Sequence, residues 1–195
     1  MTPGVFTVGG LFIPQGVRRF VALALFLLVV LPGPGFAADP YATGVFKLHF
    51  GSMPEELGIA NSEGSTLMVY FWQEGCPYCE RMEKEVLSAP EIKKTLSEKF
   101  HPMEVNIFGS KEMGDFAGKP FTEKSFAGQM KVIYTPTVVF FDKEGRETFR
   151  LPGFWQAPHF KAAMVYAREG HYGKMSFQEF LRYHWFKPET KEGAE

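Results

Sequence analysis

The stretch that most constrains this chain runs from Thr66 to Leu87. Thr66-Leu67-Met68-Val69-Tyr70-Phe71-Trp72 is an unbroken apolar and β-branched run bounded by Gly64 and Gly75. A run of that length and type reads as a central strand buried on both faces. A short Gln73-Glu74-Gly75 link follows, and then Cys76-Pro77-Tyr78-Cys79 opens a helical pattern that continues to Leu87, with Met82 and Val86 four apart and charges on the other side. Strand, tight link and helix in that order place Cys76 at a helix N-terminus. Unpaired backbone N–H groups and the helix dipole favour negative charge there. A thiolate is stabilised by this setting, and the thiolate is the nucleophile of disulfide exchange. Cys79 lies one turn later on the same face, within reach of a mixed disulfide formed at Cys76. Pro77 falls in the first turn, where its missing N–H costs nothing.

These are the only two cysteines in the chain. A bridge across two intervening residues closes too small a loop to restrain the unfolded chain, so the pair is poorly placed as a staple and well placed as a redox switch. Zinc sites share the spacing, but zinc wants four ligands. There is no second Cys-x-x-Cys, and His49, His101, His159, His171 and His184 are scattered singly. No metal site and no cofactor is expected beyond the Cys76–Cys79 disulfide itself. Formal net charge is −1, which leaves no basic field to attract nucleic acid.

The N-terminus reads as a leader. Arg18 and Arg19 precede an apolar run from Phe20 to Leu31, which ends in Pro32-Gly33-Pro34-Gly35 and small residues, with no acid before Asp39. A basic n-region, a short h-region and a small-residue cleavage site make a secretory signal peptide over residues 1–37, cut before Ala38. The run is shorter than the roughly 20 residues a spanning helix needs. The alternative is an uncleaved membrane anchor. Residues 38–186 are expected to form one domain, and the charged segment 187–195 a disordered tail. The domain is expected to be monomeric.

Further along, Pro54 to Ala60 reads as a short helix with Ser52 as N-cap and Leu57 facing inward. Ser88-Ala89-Pro90-Glu91 carries the capping-box signature for a second helix to Lys99, with Ser88 as cap. Phe100 to Ile107 reads as a strand whose start Pro102 limits. Residues 108–124 read as a loop or small insertion, and Glu123 to Val132 as helix. Thr137 to Phe141 is a second buried strand, joined by an Asp142–Gly145 turn to an alternating strand from Arg146 to Leu151. Ala157 to Glu169 and Ser176 to Tyr183 are helical. Strands alternating with helices predict an α/β fold, a central mixed sheet covered by helices on both faces, with a short C-terminal helical extension. The closing hairpin must be antiparallel, because its turn is too short for a crossover.

Two segments carry a family resemblance. Val69 to Cys79 resembles the active-site segment of the thioredoxin superfamily, and Tyr134-Thr135-Pro136-Thr137-Val138-Val139-Phe140-Phe141-Asp142, with Gly145 beyond it, resembles that superfamily's cis-proline strand and hairpin. The resemblance spans roughly Glu55 to Gly170. Within the superfamily the chain is most similar to exported, periplasmic SoxW-type thioredoxins, on the short link before Cys-Pro-Tyr-Cys and the late Ser176–Leu181 segment. Cys-Pro-Tyr-Cys also occurs in glutaredoxins, but the leader, the Phe71-Trp72 approach and the long spacing to Pro136 argue against that group.

The resemblance implies a thioredoxin-like fold and an exported thiol–disulfide oxidoreductase. Cys76 and Cys79 are its implied catalytic pair, and Pro77, Tyr78, Thr135 and Pro136 its substrate-contact residues, with a cis Thr135–Pro136 bond. It favours a reductase of periplasmic protein disulfides over an oxidase or isomerase. Protein thiol and disulfide substrates are the implied partners, with a membrane-embedded electron donor to supply reductant in an oxidising compartment. One residue departs from the pattern. The superfamily places a buried aspartate six residues before the nucleophile to assist proton transfer from the resolving thiol, and this chain has Tyr70 there. Glu74 could serve through water, or be a solvated surface acid. A non-catalytic metallochaperone using the two cysteines as ligands is the reading from another class.

Overall fold

The computed structural model describes residues 44–186. The expected leader (1–37) and tail (187–195) lie outside the described residues, as do residues 38–43 of the lead-in. Four strands form the main sheet: β1 (Thr66–Trp72), β2 (Phe100–Asn106), β5 (Thr137–Phe141) and β6 (Glu147–Pro152). Their order is β2-β1-β5-β6. β1 and β2 are parallel, while β5 is antiparallel to both β1 and β6. The sheet is therefore mixed, with the apolar runs 66–72 and 137–141 at its centre. β3 (Glu112–Gly114) and β4 (Pro120–Thr122) form a separate two-stranded hairpin within the segment expected to be a loop or small insertion.

Side chains alternate along β1 and divide the core into two layers. Met68 and Tyr70 point into a cluster with Met82, Val86, Leu87, Ile92, Leu96, Phe140, Phe160 and Met164. That layer is closed by α2 (Pro77–Arg81) with its continuation Met82–Leu87, by α3 (Pro90–Lys99) and by α5 (Ala157–Arg168). Leu67, Val69 and Phe71 point the other way, toward Met53 and Ala60 of α1 (Met53–Ser62) and Phe126 and Ala127 of α4 (Glu123–Gln129). A strand buried on both faces needs apolar residues at every position, which is why β1 and β5 read as continuous runs. A third cluster forms where Phe180 of α6 (Phe177–Phe180) packs on Ala162 and Tyr166 of α5. Ser176 caps α6 and Glu179 completes the capping box, so the C-terminal extension has its own local start signal.

Several local expectations are corrected. The helix opened by the cysteines is not α-helical throughout: Met82–Leu87 adopts the π register, with Ser88 N–H donating to the Glu83 carbonyl five residues back. Glu83, four residues after Cys79, lies on the buried side together with Met82, Val86 and Leu87, so the charges do not all lie on the outer face. Because Ser88 closes that turn, it does not cap α3. Ala89 takes the N-cap position without a side-chain bond, the Ser88 hydroxyl donates back to the Lys84 carbonyl, and Glu91 pairs with Lys161 instead. Ser52 stands at the N-cap of α1 but makes no side-chain cap bond.

Pro102 lies within β2 and does not delay its start. Its carbonyl accepts from Lys47 N–H on the outer edge, so its missing N–H also faces away from β1 and interrupts no bond of the ladder. The lead-in residues 45–50 run along this edge, where His49 also bonds to the Glu104 carbonyl at 2.8 Å. They cover an edge that would otherwise offer its backbone to another chain. At the other end, Gly145 turns β5 into β6 with φ +78°, and a Cβ there would meet the Phe116 ring at 2.6 Å.

Phe140 is fully buried at the centre of the sheet, with Phe100 and Phe149 against its ring. Phe140→Ala is expected to destabilise the domain by about 3–5 kcal/mol through lost transfer energy and a residual cavity. The midpoint of denaturant unfolding measures this.

Candidate active site

β1 is paired on both edges and buried on both faces, so the point where it ends is fixed. The Trp72 carbonyl accepts from Ile107 N–H at 2.9 Å, and the indole packs half-buried against the first core layer. The chain then leaves the sheet through Gln73 and Glu74 to Gly75, whose φ of +67° reverses its direction at little steric cost. Cys76 follows as the N-cap of α2. Its Sγ accepts from Cys79 N–H at 3.1 Å, one of the donors that a helix N-terminus leaves unpaired.

Cys76 and Cys79 are joined by a disulfide with their Cα atoms 5.2 Å apart. Both are buried, Cys76 at 6% and Cys79 at 3% exposure, so Cys76 is the slightly more accessible of the two. Pro77 and Tyr78 between them are exposed. The β1–β5 register sets Phe71 opposite Thr137 and brings the residues before β5 alongside Cys76. The Thr135 hydroxyl donates toward Cys76 Sγ at 3.4 Å, and the Thr135 carbonyl lies 3.6 Å from the same sulfur. In the oxidised state that sulfur carries no proton, so the carbonyl contact becomes a hydrogen bond only when Cys76 is a thiol. The Thr135–Pro136 bond is cis, and Pro136 is buried where Thr135 is half-buried. All six residues singled out in the sequence thus meet at one end of the sheet.

Four residues were not read from the sequence: three exposed apolar ones that stand with Tyr78, and one buried acid. Phe108, Ile133 and Tyr134 are 64%, 78% and 67% exposed, and Tyr78 is 58% exposed. Phe108 follows β2 at the end where β2 pairs with Trp72, and Ile133 and Tyr134 directly precede Thr135, so the four apolar side chains stand at the same end of the sheet as Cys76. Large apolar groups gathered around a reactive sulfur are the usual composition of a protein-binding surface. They come from three separate segments, and only the strand order reveals that these lie at one end of the sheet. The fourth residue is Glu83, buried under Cys79 on the same helix.

Tyr70 is fully buried, and its hydroxyl stands 3.4 Å from both the Cys79 carbonyl and Glu83 Oε1. Burial, and then the neighbouring Glu83 charge, push the Tyr70 hydroxyl far above its ordinary range. Tyr70 therefore remains a neutral donor at any working pH. Phe46 stacks on its ring at 5.2 Å and closes the site from the lead-in side. Glu74, by contrast, is exposed on the link. Among the described residues no group of His, Cys, Asp and Glu is arranged to hold a metal ion. His101 is buried against Glu56 at 2.8 Å, at the start of β2 and away from the cysteines.

A strand that ends in a helix N-terminus bearing a Cys-x-x-Cys disulfide, faced by a cis-proline loop, defines a class. The family model for the thioredoxin-like domain matches residues 53–168, and the chain belongs to that thioredoxin-like family. Among curated proteins it is similar to the thiol:disulfide interchange protein DsbD of Pseudoalteromonas atlantica, at 28% identity over 110 residues covering 55% of this chain and 17% of that protein. It is also similar to DsbD of Salmonella choleraesuis, at 25% identity over 151 residues covering 74% of this chain and 25% of that protein. The chain thus spans a quarter or less of the length of these relatives. Among solved structures, a thioredoxin-fold protein from Helicobacter pylori superposes with a TM-score of 0.57 at 27% identity, covering 73% of this chain and 88% of that one. The DsbH oxidoreductase superposes at 0.50 with 19% identity, covering 73% and 98%, which supports the fold.

Thr135→Val keeps the shape beside Cys76 and removes the hydroxyl donor. It is expected to slow alkylation of Cys76 near neutral pH by up to about tenfold, because the thiolate loses a hydrogen-bond donor. The rate of Cys76 alkylation against pH, measured in a Cys79→Ser background, tests this.

Proposed function

We propose that this protein is an exported thiol–disulfide oxidoreductase that reduces disulfides of periplasmic proteins. The observation that carries the reading is Cys76 at the N-cap of α2, bonded to Cys79 and touched by the Thr135 hydroxyl, inside a collar of exposed apolar side chains. In the reduced protein the Cys76 thiolate attacks one sulfur of a substrate disulfide. The Cys76–substrate bond forms, the substrate S–S bond breaks, and the leaving sulfur departs as a thiolate that takes up a proton. Cys79 then attacks Cys76 Sγ, the second substrate thiol is released, and the protein is left with the Cys76–Cys79 disulfide. The thiolate attacks because the helix end lowers its proton affinity, and the resolving step is fast because Cys79 is held one turn away.

Exposed Tyr78, Ile133 and Tyr134 would grip apolar residues flanking the substrate cysteine, while Thr135 and Pro136 shape the edge on which its backbone lies. Similarity to the interchange protein DsbD supports exchange with protein thiols and re-reduction by a membrane-embedded donor. The reductase direction also draws on the SoxW-type resemblance, which would make the substrate a periplasmic sulfur-carrier or cytochrome-maturation protein. The leader pattern over residues 1–37 supports export. No described helix is long and apolar enough to cross a membrane.

Cys76→Ser is expected to bring insulin-disulfide reduction to background, and Cys79→Ser to retain one attack and accumulate a mixed disulfide with the substrate. Accumulation on Cys76→Ser instead would reverse the two roles. Material recovered from the exporting cell is expected to begin at or near Ala38 by N-terminal sequencing. A full-length chain that stays with the membrane would favour an uncleaved anchor.

A further inference from the structure

β2 ends in a turn whose backbone is tied down at almost every residue. Gly109 N–H donates to the Asn106 carbonyl at 2.8 Å, and Asn106 Oδ1 accepts from Phe108 N–H at 3.0 Å, so Asn106 and Gly109 close a four-residue β-turn. Ile107 N–H donates to the Trp72 carbonyl at 2.9 Å, and its side chain packs half-buried on the second core layer. The first turn of α4 brings two donors that a helix start leaves unpaired. Glu123 N–H reaches the Lys111 carbonyl at 3.0 Å, and Lys124 N–H reaches the Gly109 carbonyl at 3.1 Å.

A buried carboxylate completes the attachment. Because Ile107 N–H is turned toward β1, Asn106 N–H faces the outer edge of β2, and there it donates to Glu123 Oε1 at 3.2 Å. Glu123 is 4% exposed, and Gly109 packs so closely on it that a Cβ there would overlap Oε2. Thr122 and Ser125 satisfy each other in a capping box, so the Glu123 side chain is not needed to cap its own helix and turns to β2 instead. Burying a carboxylate costs stability. What this one obtains in return is the placement of the turn.

The Phe108 side chain takes no part in this network. It is 64% exposed, between the anchored Ile107 and Gly109. Trp72, to which the turn is bonded, leads through three link residues to Cys76. A large apolar group held in water on a fixed backbone loses little freedom when a partner covers it, which makes it an effective contact. We propose that Glu123 is a positioning residue for substrate selection. It latches the 106–109 turn so that Phe108 stands as a fixed apolar contact at the Cys76 end of the sheet, and protein disulfides with a large apolar residue beside the reacting cysteine are preferred. This rests on the exchange reaction proposed above and adds a substrate class to it.

Two symmetrical disulfide-linked peptides serve as probes, alike except that the residue beside the cysteine is phenylalanine in one and serine in the other. Reduced protein is mixed with each, and the second-order rate of peptide-disulfide loss is read by acid quench and mass. The native protein is expected to favour the phenylalanine peptide. Phe108→Ser is expected to lower the ratio of the two rates by about fivefold to tenfold, the size of an ordinary contact truncation. Glu123→Ala is expected to lower it by about threefold to tenfold, the cost of ordering a loosened contact on binding. Glu123→Gln, which keeps an acceptor for Asn106, is expected to retain most of the preference. A general loss of reactivity cancels in the ratio, so a merely structural role for Glu123 would not move it. In a Phe108→Ser background Glu123→Ala is expected to lower the ratio no further, because the carboxylate acts through that side chain.

Equal rates on the two peptides in the native protein, or a native ratio in Phe108→Ser, overturn the proposal. So does a native ratio in Glu123→Ala, or a further loss when it is added to Phe108→Ser. If Glu123→Ala does not fold, Gly109→Ala, whose methyl group displaces the carboxylate, takes its place with the same expected loss and the same overturning results. A native protein that reduces neither peptide refutes the exchange reaction itself and is recognised before any variant is examined.

Discussion

The antiparallel register of β1 on β5 is the interaction from which the rest of the site follows. Phe71 lies opposite Thr137, and this pairing places the end of β1 and the start of β5 side by side. From the first of these, three link residues lead to Cys76. From the second, two residues back lead to Thr135, whose hydroxyl reaches the Cys76 sulfur. A slip of one residue would send Tyr70 into the wrong core layer and carry Thr135 away from Cys76. Both strands are buried on both faces, so such a slip would misplace every side chain along them, and the register is held far more firmly than the site alone would require.

What the register holds in place is an arrangement of differing polarity around two sulfurs. Above Cys76 lie the N–H groups of a helix end and the Thr135 hydroxyl, which favour a thiolate at the surface. Below Cys79 lie Tyr70 and Glu83 within an otherwise apolar layer, where a polar pair is tolerable because each satisfies the other. Around the rim stand Tyr78, Phe108, Ile133 and Tyr134, exposed and apolar. The polarity thus runs from donors around Cys76 at the opening to a buried phenol and carboxyl group behind Cys79.

Much of this was legible because its signals are local. The bounds of β1 and β5 coincide with two uninterrupted apolar runs, and the N-cap position of Cys76 follows from a strand, a glycine and a helix in sequence. Glu83 was hidden for a physical reason. It stands four residues after Cys79, on the inward stripe of Met82 and Val86, but a carboxylate is rarely buried and so reads as one of the outer charges. Ser88 misled because the π turn that recruits its N–H removes it from the capping position of the next helix. The rest of the apolar rim could not be read either, because strand order brings Phe108 and Ile133 to the Cys76 end of the sheet, which no single segment encodes. Pro102 argued for a late strand start, yet an outer-edge position makes its missing N–H harmless.

The central claim is that Cys76 and Cys79 form a reversible couple poised to reduce other proteins. The equilibrium reduction potential, obtained by titrating the pair against defined dithiothreitol and glutathione buffers and counting free thiols, tests it most directly. The account predicts a single two-electron transition near the thioredoxin value of about −270 mV. A transition near about −120 mV, the range of a strong disulfide-forming oxidant, would contradict the reductase assignment. A pair that could not be reduced reversibly at all would contradict the exchange chemistry on which the account rests.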